Sequence, residues 1–350
     1  MKKIISAMLA MILLINLTGC LGIGEHIHMS KERKELEKQY YMAIKTGNAV
    51  DVDELLTLYP ELNVNKCYES FIVEKSSIFN AYTMEDKPSL ENEREVIKVL
   101  LEHGADANYI IRDGSTFAEH FACDGNYEIV KLLLEHGADT KHLDKNGDSL
   151  LNYSLYSEND TRILELLLQY GAEIKPDTLS RSYKNMGFED NILGIKFIAQ
   201  KMKEKGMSPG LSETLDAAIL GEWDKVDAAI NSESYAPDEL ESKLLFSLIL
   251  GYGKPETFAL FRESSIYQNI TDTRDFKLIN TAAKYGNMQM VKYCIEKLGI
   301  DKDAGDLTES ALYNAAKYNQ TEIVKYLCDI GAKVSYLNSS MDSYIDLDYY

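Results

Sequence analysis

Apolar positions along this chain recur in a fixed phase, and the phase is clearest between Asp113 and Asp139, in the stretch DGSTFAEHFACDGNYEIVKLLLEHGAD. Thr116 and Glu119 stand in T-x-x-E spacing, which predicts a capped helix start with Glu119 reaching back to the cap. Gly125 breaks that helix, and Asn126 is placed to cap a second. Ile129, Val130, Leu132, Leu133 and Leu134 give the second helix its apolar face, and Gly137 ends it. A unit of about thirty residues buries too little surface to fold alone, so it predicts relatives along the chain.

Those relatives are present. With Gly125 as a phase mark, corresponding residues are Gly47, Glu91, Glu158, Asp190, Gly221, Gly253, Gly286 and Asn319. The first step spans 44 residues and contains an insertion that includes Glu85 to Pro88, whereas every later step spans 31 to 34. Five residues past each mark stand Val52, Val96, Val130, Ile163, Ile195, Val226, Phe258, Val291 and Val324, all apolar. Asparagine follows the mark at Asn48, Asn92, Asn126, Asn159, Asn191 and Asn287, which suits a helix cap and no strand. Small pairs such as Ala217-Ala218, Ala282-Ala283 and Ala315-Ala316 precede the mark and allow first helices to stack closely. The pattern predicts an all-α fold, an α-solenoid of about nine helix-turn-helix units over residues 39–334. Over residues 176–270 only the phase supports it.

The segments LLLEHGADTKHLDKNGDS and AAKYGNMQMVKYCIEKLGID resemble ankyrin repeats in their alternation of A-A-x-x-G, I-V-x-x-L-L and G-A-D. The resemblance is closest over 93–175 and 275–334, extends to 39–65, and is faintest over 176–270. One departure is systematic. The family's T-P-L-H helix start has no proline in any copy, and Thr116-Phe117-Ala118-Glu119 and Ser149-Leu150-Leu151-Asn152 stand there instead. Proline preorganises a first turn, so these helices are expected to start less sharply.

The resemblance implies a curved array whose first helices and turn tips line a protein-binding face. Tyr252, Tyr285 and Tyr318 immediately precede the mark in three successive repeats, with Lys284 and Lys317 beside two of them. Tyr153 and Tyr156 lie on the corresponding helix further back. Tyrosine offers a large rigid face with a polar tip, which suits an interface anchor. It equally suits packing against the next repeat, and both readings stand at this point. The tip Tyr109-Ile110-Ile111-Arg112 places apolar side chains where water is expected, so it needs a partner or a covering neighbour.

The N-terminus follows other rules. Lys2 and Lys3 precede a mostly apolar run from Ile4 to Leu17, too short to span a bilayer comfortably, and Leu17-Thr18-Gly19-Cys20 follows. This arrangement resembles the lipobox of bacterial lipoproteins. The resemblance implies a leader over residues 1–19, cleavage after Gly19, and acylation of Cys20 that anchors the protein to a lipid bilayer. An ordinary leader with an incidental cysteine is the alternative. Residues 20–38 then form a charged tether, with Ser30 a candidate helix cap. The tail, 335–350, is acidic and tyrosine-rich, either folded over the last repeat or loose.

The apolar fraction of 45% supplies a substantial core, and the net charge is −19. Loss of the leader's two lysines leaves 35 basic and 56 acidic residues, a net −21. Such a surface repels nucleic acid and anionic headgroups and favours a basic partner, or simply keeps the protein soluble. No phosphate-binding loop, nucleophile elbow or zinc-protease motif occurs. His26 and His28 make a poor metal pair. His120 and Cys123 stand one helical turn apart, half of a zinc site. His103 and His136 each occupy the end of a second helix, where a cation suits the dipole. Cys67, Cys123, Cys294 and Cys328 are expected to be buried free thiols, because stacked helices hold equivalent positions farther apart than a disulfide reaches. No cofactor, metal or catalytic residue is assigned. The expected function is a non-catalytic protein-interaction module held on a membrane of the bacterial cell envelope, with the array in the periplasm or outside the cell. The alternative is an immunity-type lipoprotein that blocks an exported toxin or enzyme, its acidity suited to a basic target.

Overall fold

The computed structural model describes residues 24–60, 62–65, 90–111, 114–157, 161–186, 191–268, 270, 275–305 and 310–333. The expected leader, Cys20, Cys67, Arg112 and the tail from 335 to 350 lie outside the described residues. Among the described residues there are eighteen helices and no strand. Two isolated bridges, Ile110 with Thr116 and Leu143 with Ser149, pin successive turn tips. The fold class is all-α, as the phase predicts. Among the described residues no helix is long and apolar enough to cross a membrane. The chain forms two compact units, one of Met1–Phe117 with Lys131–Ala138, the other of Ala118–Val130 with Asp139–Tyr350.

The first unit contains α1 (Gly24–Lys45), α2 (Ala49–Leu58) and α3 (Leu90–Glu102). Its core includes Tyr40, Ile44, Val52, Ile97 and Leu100, all essentially inaccessible. α1 runs unbroken through Ser30, which therefore lies inside the helix and not at its start. The Lys, Glu and Leu that follow the serine favour helix, and Arg33 supports it by reaching Glu37 one turn on, at 3.1 Å. Two asparagines stitch turn to turn. Asn65 Nδ2 donates to the Gly104 carbonyl at 3.1 Å, and Asn108 Nδ2 donates to the Gly137 carbonyl at 2.9 Å.

Along the rest of the chain follow α4 (Phe117–Cys123), α5 (Tyr127–Glu135), α6 (Leu150–Ser154), α7 (Arg162–Gln169), α8 (Thr178–Met186), α9 (Ile192–Glu204) and α10 (Glu213–Ile219). The series continues with α11 (Trp223–Ile230), α12 (Glu239–Tyr252), α13 (Pro255–Glu263), α14 (Ser265–Gln268), α15 (Asp275–Lys284), α16 (Met288–Glu296), α17 (Ala311–Lys317) and α18 (Thr321–Asp329). In the second unit first helices pack on first helices, α10 on α12, α12 on α15, and α15 on α17. Second helices do the same in α11, α13, α16 and α18. This two-layer stack puts each apolar face against its neighbour's.

The nine residues five past the marks are all buried, eight at 0% exposure and Val324 at 4%. The mark itself is a backbone requirement. Gly125, Gly221 and Gly286 have φ of 74°, 77° and 82°, and Asn319 takes the same left-handed turn at 57°. Asparagine is the side-chain-bearing residue that tolerates this region best, which explains how a non-glycine mark keeps the turn. The side chains of Asn48, Asn126, Asn191 and Asn287 accept from the backbone N–H three residues on, as caps do. α3 begins at Leu90, two residues before Asn92; Asn159 lies outside the described residues.

Within 176–270 the helical pairs persist with changed wording. Gly253 leaves the left-handed turn, at φ −77°, and Pro255 starts α13 in its first turn instead. The short α14 carries Tyr267 edge-on against Phe246, Phe258 and Phe261, with ring centroids 5.9 to 6.3 Å apart. Trp223, the single tryptophan of the chain, opens α11 and is buried at 8% exposure.

Candidate protein-binding surface

The C-terminal ends of α12, α15 and α17 bring three of the expected tyrosines into one continuous arrangement. The Tyr252 and Tyr285 rings lie 5.6 Å apart. Lys284 Nζ sits 5.4 Å from the Tyr285 ring and 5.0 Å from the Tyr318 ring, and Lys317 Nζ lies 5.3 Å from the Tyr318 ring. At the other end Lys196, from α9, places its Nζ 4.5 Å from the Tyr252 ring. Lys196 and Lys317 stand at the two ends of the row and Lys284 stands between Tyr285 and Tyr318, each cation–ring contact contributing about 0.5–2 kcal/mol depending on desolvation.

The members differ in exposure. Tyr285 is buried at 7%, Tyr252, Tyr318 and Lys284 are half-buried, and Lys317 is exposed. Tyr285 therefore serves packing in this structure, while its neighbours present edges to solvent. Gly251 is the reason Tyr285 can lie so deep. A Cβ at Gly251 would meet Tyr285 Cδ2 at 2.8 Å and Cβ at 3.0 Å, the rigid base of the side chain. In a helix, Gly→Ala ordinarily gains up to about 1 kcal/mol. Overpacking costs about 1–3 kcal/mol, so the clash wins and Gly251→Ala should lower stability. Thermal unfolding checks it: a variant that melts higher than the parent would mean that the ring has room to move.

Burial also sets the chemistry of the row. Desolvation pushes the Tyr252 phenol far above its ordinary range, and its hydroxyl is buried without a hydrogen-bond partner. The same effect draws the Lys196 ammonium down from its usual value, although its Nζ donates to the Ile219 carbonyl at 2.8 Å, at the end of α10. Sequence reasoning missed Lys196, which lies in the stretch supported by phase alone. Its approach to Tyr252 crosses 56 residues of chain, and no periodic signal reports such a reach.

The arrangement of stacked hairpins has its counterpart among known families. A model of ankyrin repeats matches residues 89–178 and 246–338, together more than half of the chain. The chain belongs to the ankyrin-repeat family. No curated protein matches it. The ankyrin match passes over 179–245, part of the stretch where the sequence carried the phase without the motifs.

Two further sets of expected residues occupy other places in the ankyrin array. The Tyr153 hydroxyl donates to Asp144 Oδ2 at 3.0 Å, so Tyr153 braces a turn tip, and the Tyr156 ring meets it edge-on at 6.0 Å. Burial, followed by the charge of Asp148, pushes the Tyr156 phenol up to about 12. At the earlier tip, Tyr109 stacks on Phe117 with centroids 6.1 Å apart, which supplies it with a covering neighbour. Ile110 stays 55% exposed and Ile111 is half-buried, while Arg112 lies outside the described residues.

The candidates for chemistry resolve into structural roles. Glu119 is fully buried, and its Oε1 lies 3.0 Å from His142 Nδ1, a residue of the next turn tip. The link spans 23 residues, and the sequence did not announce it. The His120 ring lies 6.3 Å from that of Tyr153. Burial raises the Cys123 thiol above its ordinary range, which removes the reactive thiolate. Among the described residues no group of three or more metal-capable side chains converges. His136 donates from Nδ1 to the Leu132 carbonyl at 2.9 Å, and His103 Nε2 pairs with Asp53 Oδ1 at 2.7 Å. Cys123, Cys294 and Cys328 are free thiols. Cys294 is buried as expected, but Cys328 is exposed, because it lies one residue from the end of the last described helix.

Proposed function

We propose that this ankyrin-repeat protein is a protein-interaction module held on a membrane of the bacterial cell envelope by a lipidated Cys20, and that it binds rather than catalyses. Ankyrin repeats are protein-interaction modules, so the binding half of the reading rests on family and fold. The anchoring half is carried by one observation, the run Leu17-Thr18-Gly19-Cys20 after a short apolar stretch headed by Lys2 and Lys3. Acyl chains contribute about 0.8 kcal/mol per buried methylene, so two or more hold a protein stably where one does not. The partner-facing part is assigned to the row of Tyr252, Tyr318, Lys284 and Lys317, with Tyr285 beneath it.

Metabolic labelling with an alkyne fatty acid in a bacterial host tests the anchor. The parent chain should take up label and sediment with membranes, and Cys20→Ser should do neither. An unlabelled parent chain would sink the proposal. The alternative of a dedicated inhibitor of an exported toxin rests on the overall acidity of the chain.

A further inference from the structure

We infer that the outward face of α17 is a docking site for residues 334–350 of the same chain, which take the place that the next first helix holds in the inner repeats. The face is identified by a loss of cover. Three residues before the mark, Ala122, Leu155, Ala218, Leu250 and Ala283 are 0–1% exposed, whereas Ala316 in α17 is half-buried. One turn earlier, Tyr313 is half-buried where Asn280 in α15 is buried. The neighbour on one side is the same in kind, because α17 packs on α15 as α15 packs on α12. What α17 lacks is the neighbour on the other side.

Two observations select the occupant. The first is the path of the chain. It leaves α18 through Gly331, at φ 79°, in the same left-handed turn that Gly137 and Gly171 take at 87° and 85°. Ala332 is then buried at 7%, as Ala172 is at 8%. The Lys333 N–H donates to Asp303 Oδ1 at 2.8 Å, just as the Asp106 N–H, two residues past Gly104, donates to Asn65 Oδ1 at 2.6 Å. The chain is thus set down on the preceding tip as it is at the start of an inner one.

The second observation is the wording of the segment. GAKVSYLNSSMDSYID, residues 331–346, lies in register with GADTKHLDKNGDSLLN, residues 137–152. Leu337, Asp342 and Ser343 repeat Leu143, Asp148 and Ser149, and the apolar pair Tyr344-Ile345 stands for Leu150-Leu151. In the earlier copy these residues build a tip and start a helix. Leu143 bridges to Ser149, Asp144 Oδ1 accepts from the N–H groups of Asn146 and Asp148 at 2.8 Å, and Ser149 caps α6. Ser343 also stands 33 residues past Ser310, the cap of α17. One position departs: Met341 replaces Gly147, whose φ is 83°, so that left-handed turn is not encoded a second time. Tyr344 and Ile345 supply the apolar contact for the α17 face, and Asp342, Asp346 and Asp348 supply the polar exterior that closes a repeat stack. Docked in this way, the segment closes the face to a second copy and leaves partner binding to the surface already described.

Thiol labelling of the purified full chain in detergent tests this. Ala316→Cys places a reporter on the face, and uptake of N-ethylmaleimide at that residue is followed by peptide mass spectrometry, with the buried Cys294 as internal reference. Tyr344→Asp combined with Ile345→Asp should speed labelling of residue 316 several-fold and leave Cys294 unchanged. Ser339→Asp, in register with the exposed Lys145, should change neither rate. Should Ala316→Cys fail to fold, hydrogen exchange of the α17 amides makes the same comparison in chains that keep Ala316, and the two aspartates should again speed it several-fold. Equal labelling and equal exchange with and without the two aspartates overturn the inference. Protection of residue 316 that fades on dilution, with a dimer in sedimentation, means that a second copy covers the face, and overturns it as well.

Discussion

Phe258→Ala is expected to cost about 3–5 kcal/mol of unfolding free energy, the range for removing a fully buried aromatic ring. Phe258 is 0% exposed, and its ring contacts those of Phe246, Tyr267 and Tyr293 at centroid distances of 6.5, 6.3 and 6.2 Å. The residues come from α12, α14 and α16, so the ring joins a repeat of the divergent middle to the well-matched C-terminal ones. In a stack where each repeat leans on its neighbours, a loss of this size in one place is expected to split one unfolding transition into two. Urea unfolding followed by far-ultraviolet circular dichroism reads both effects. A loss below about 1 kcal/mol would mean that the middle of the array is loosely packed.

Glu119→Ala is expected to cost about 2–4 kcal/mol, from a half-buried partner losing this bond together with the space left behind. Glu119 has no exposure, and His142 beside it is only 18% exposed. Glu119→Gln keeps an acceptor for the His142 ring and should recover most of the loss. The comparison separates hydrogen bonding from charge. If Glu119→Gln is as damaging as Glu119→Ala, the carboxylate's charge matters more than its shape. If Glu119→Ala unfolds with the parent, the link to His142 contributes nothing.

Much of this fold was legible in the sequence because its information is short-range. Val52 and Val324 mark the same helix face without reference to anything else in the chain, and both are buried. Asn126 and Asn287 cap helices by bonds of three residues' reach. Ser30 misled for the opposite reason. It has the identity of a cap, but the helix-favouring run of Lys, Glu and Leu follows it and the helix extends back past it to Gly24.

The candidate surface was legible only in part. The spacing of Tyr252, Tyr285 and Tyr318 placed them in one row, and the row exists. Nothing in that spacing says which ring lies deepest. That depends on Gly251, one residue before Tyr252, being small enough for Tyr285 to settle against it. Lys196 and His142 each act across a turn of the array through a long or ring side chain. Periodicity reports which face a helix buries, not which distant side chain arrives there.

The lone tryptophan at the head of α11 gives the molecule a built-in optical reporter. Trp223 is buried in the stretch that the family match passes over, so its emission follows the environment of that stretch alone. Circular dichroism, by contrast, averages over helices from one end of the chain to the other. Where the two signals change together, the array loses its structure as one body. Where they part, the emission dates the middle repeats separately from the rest, without any label being added.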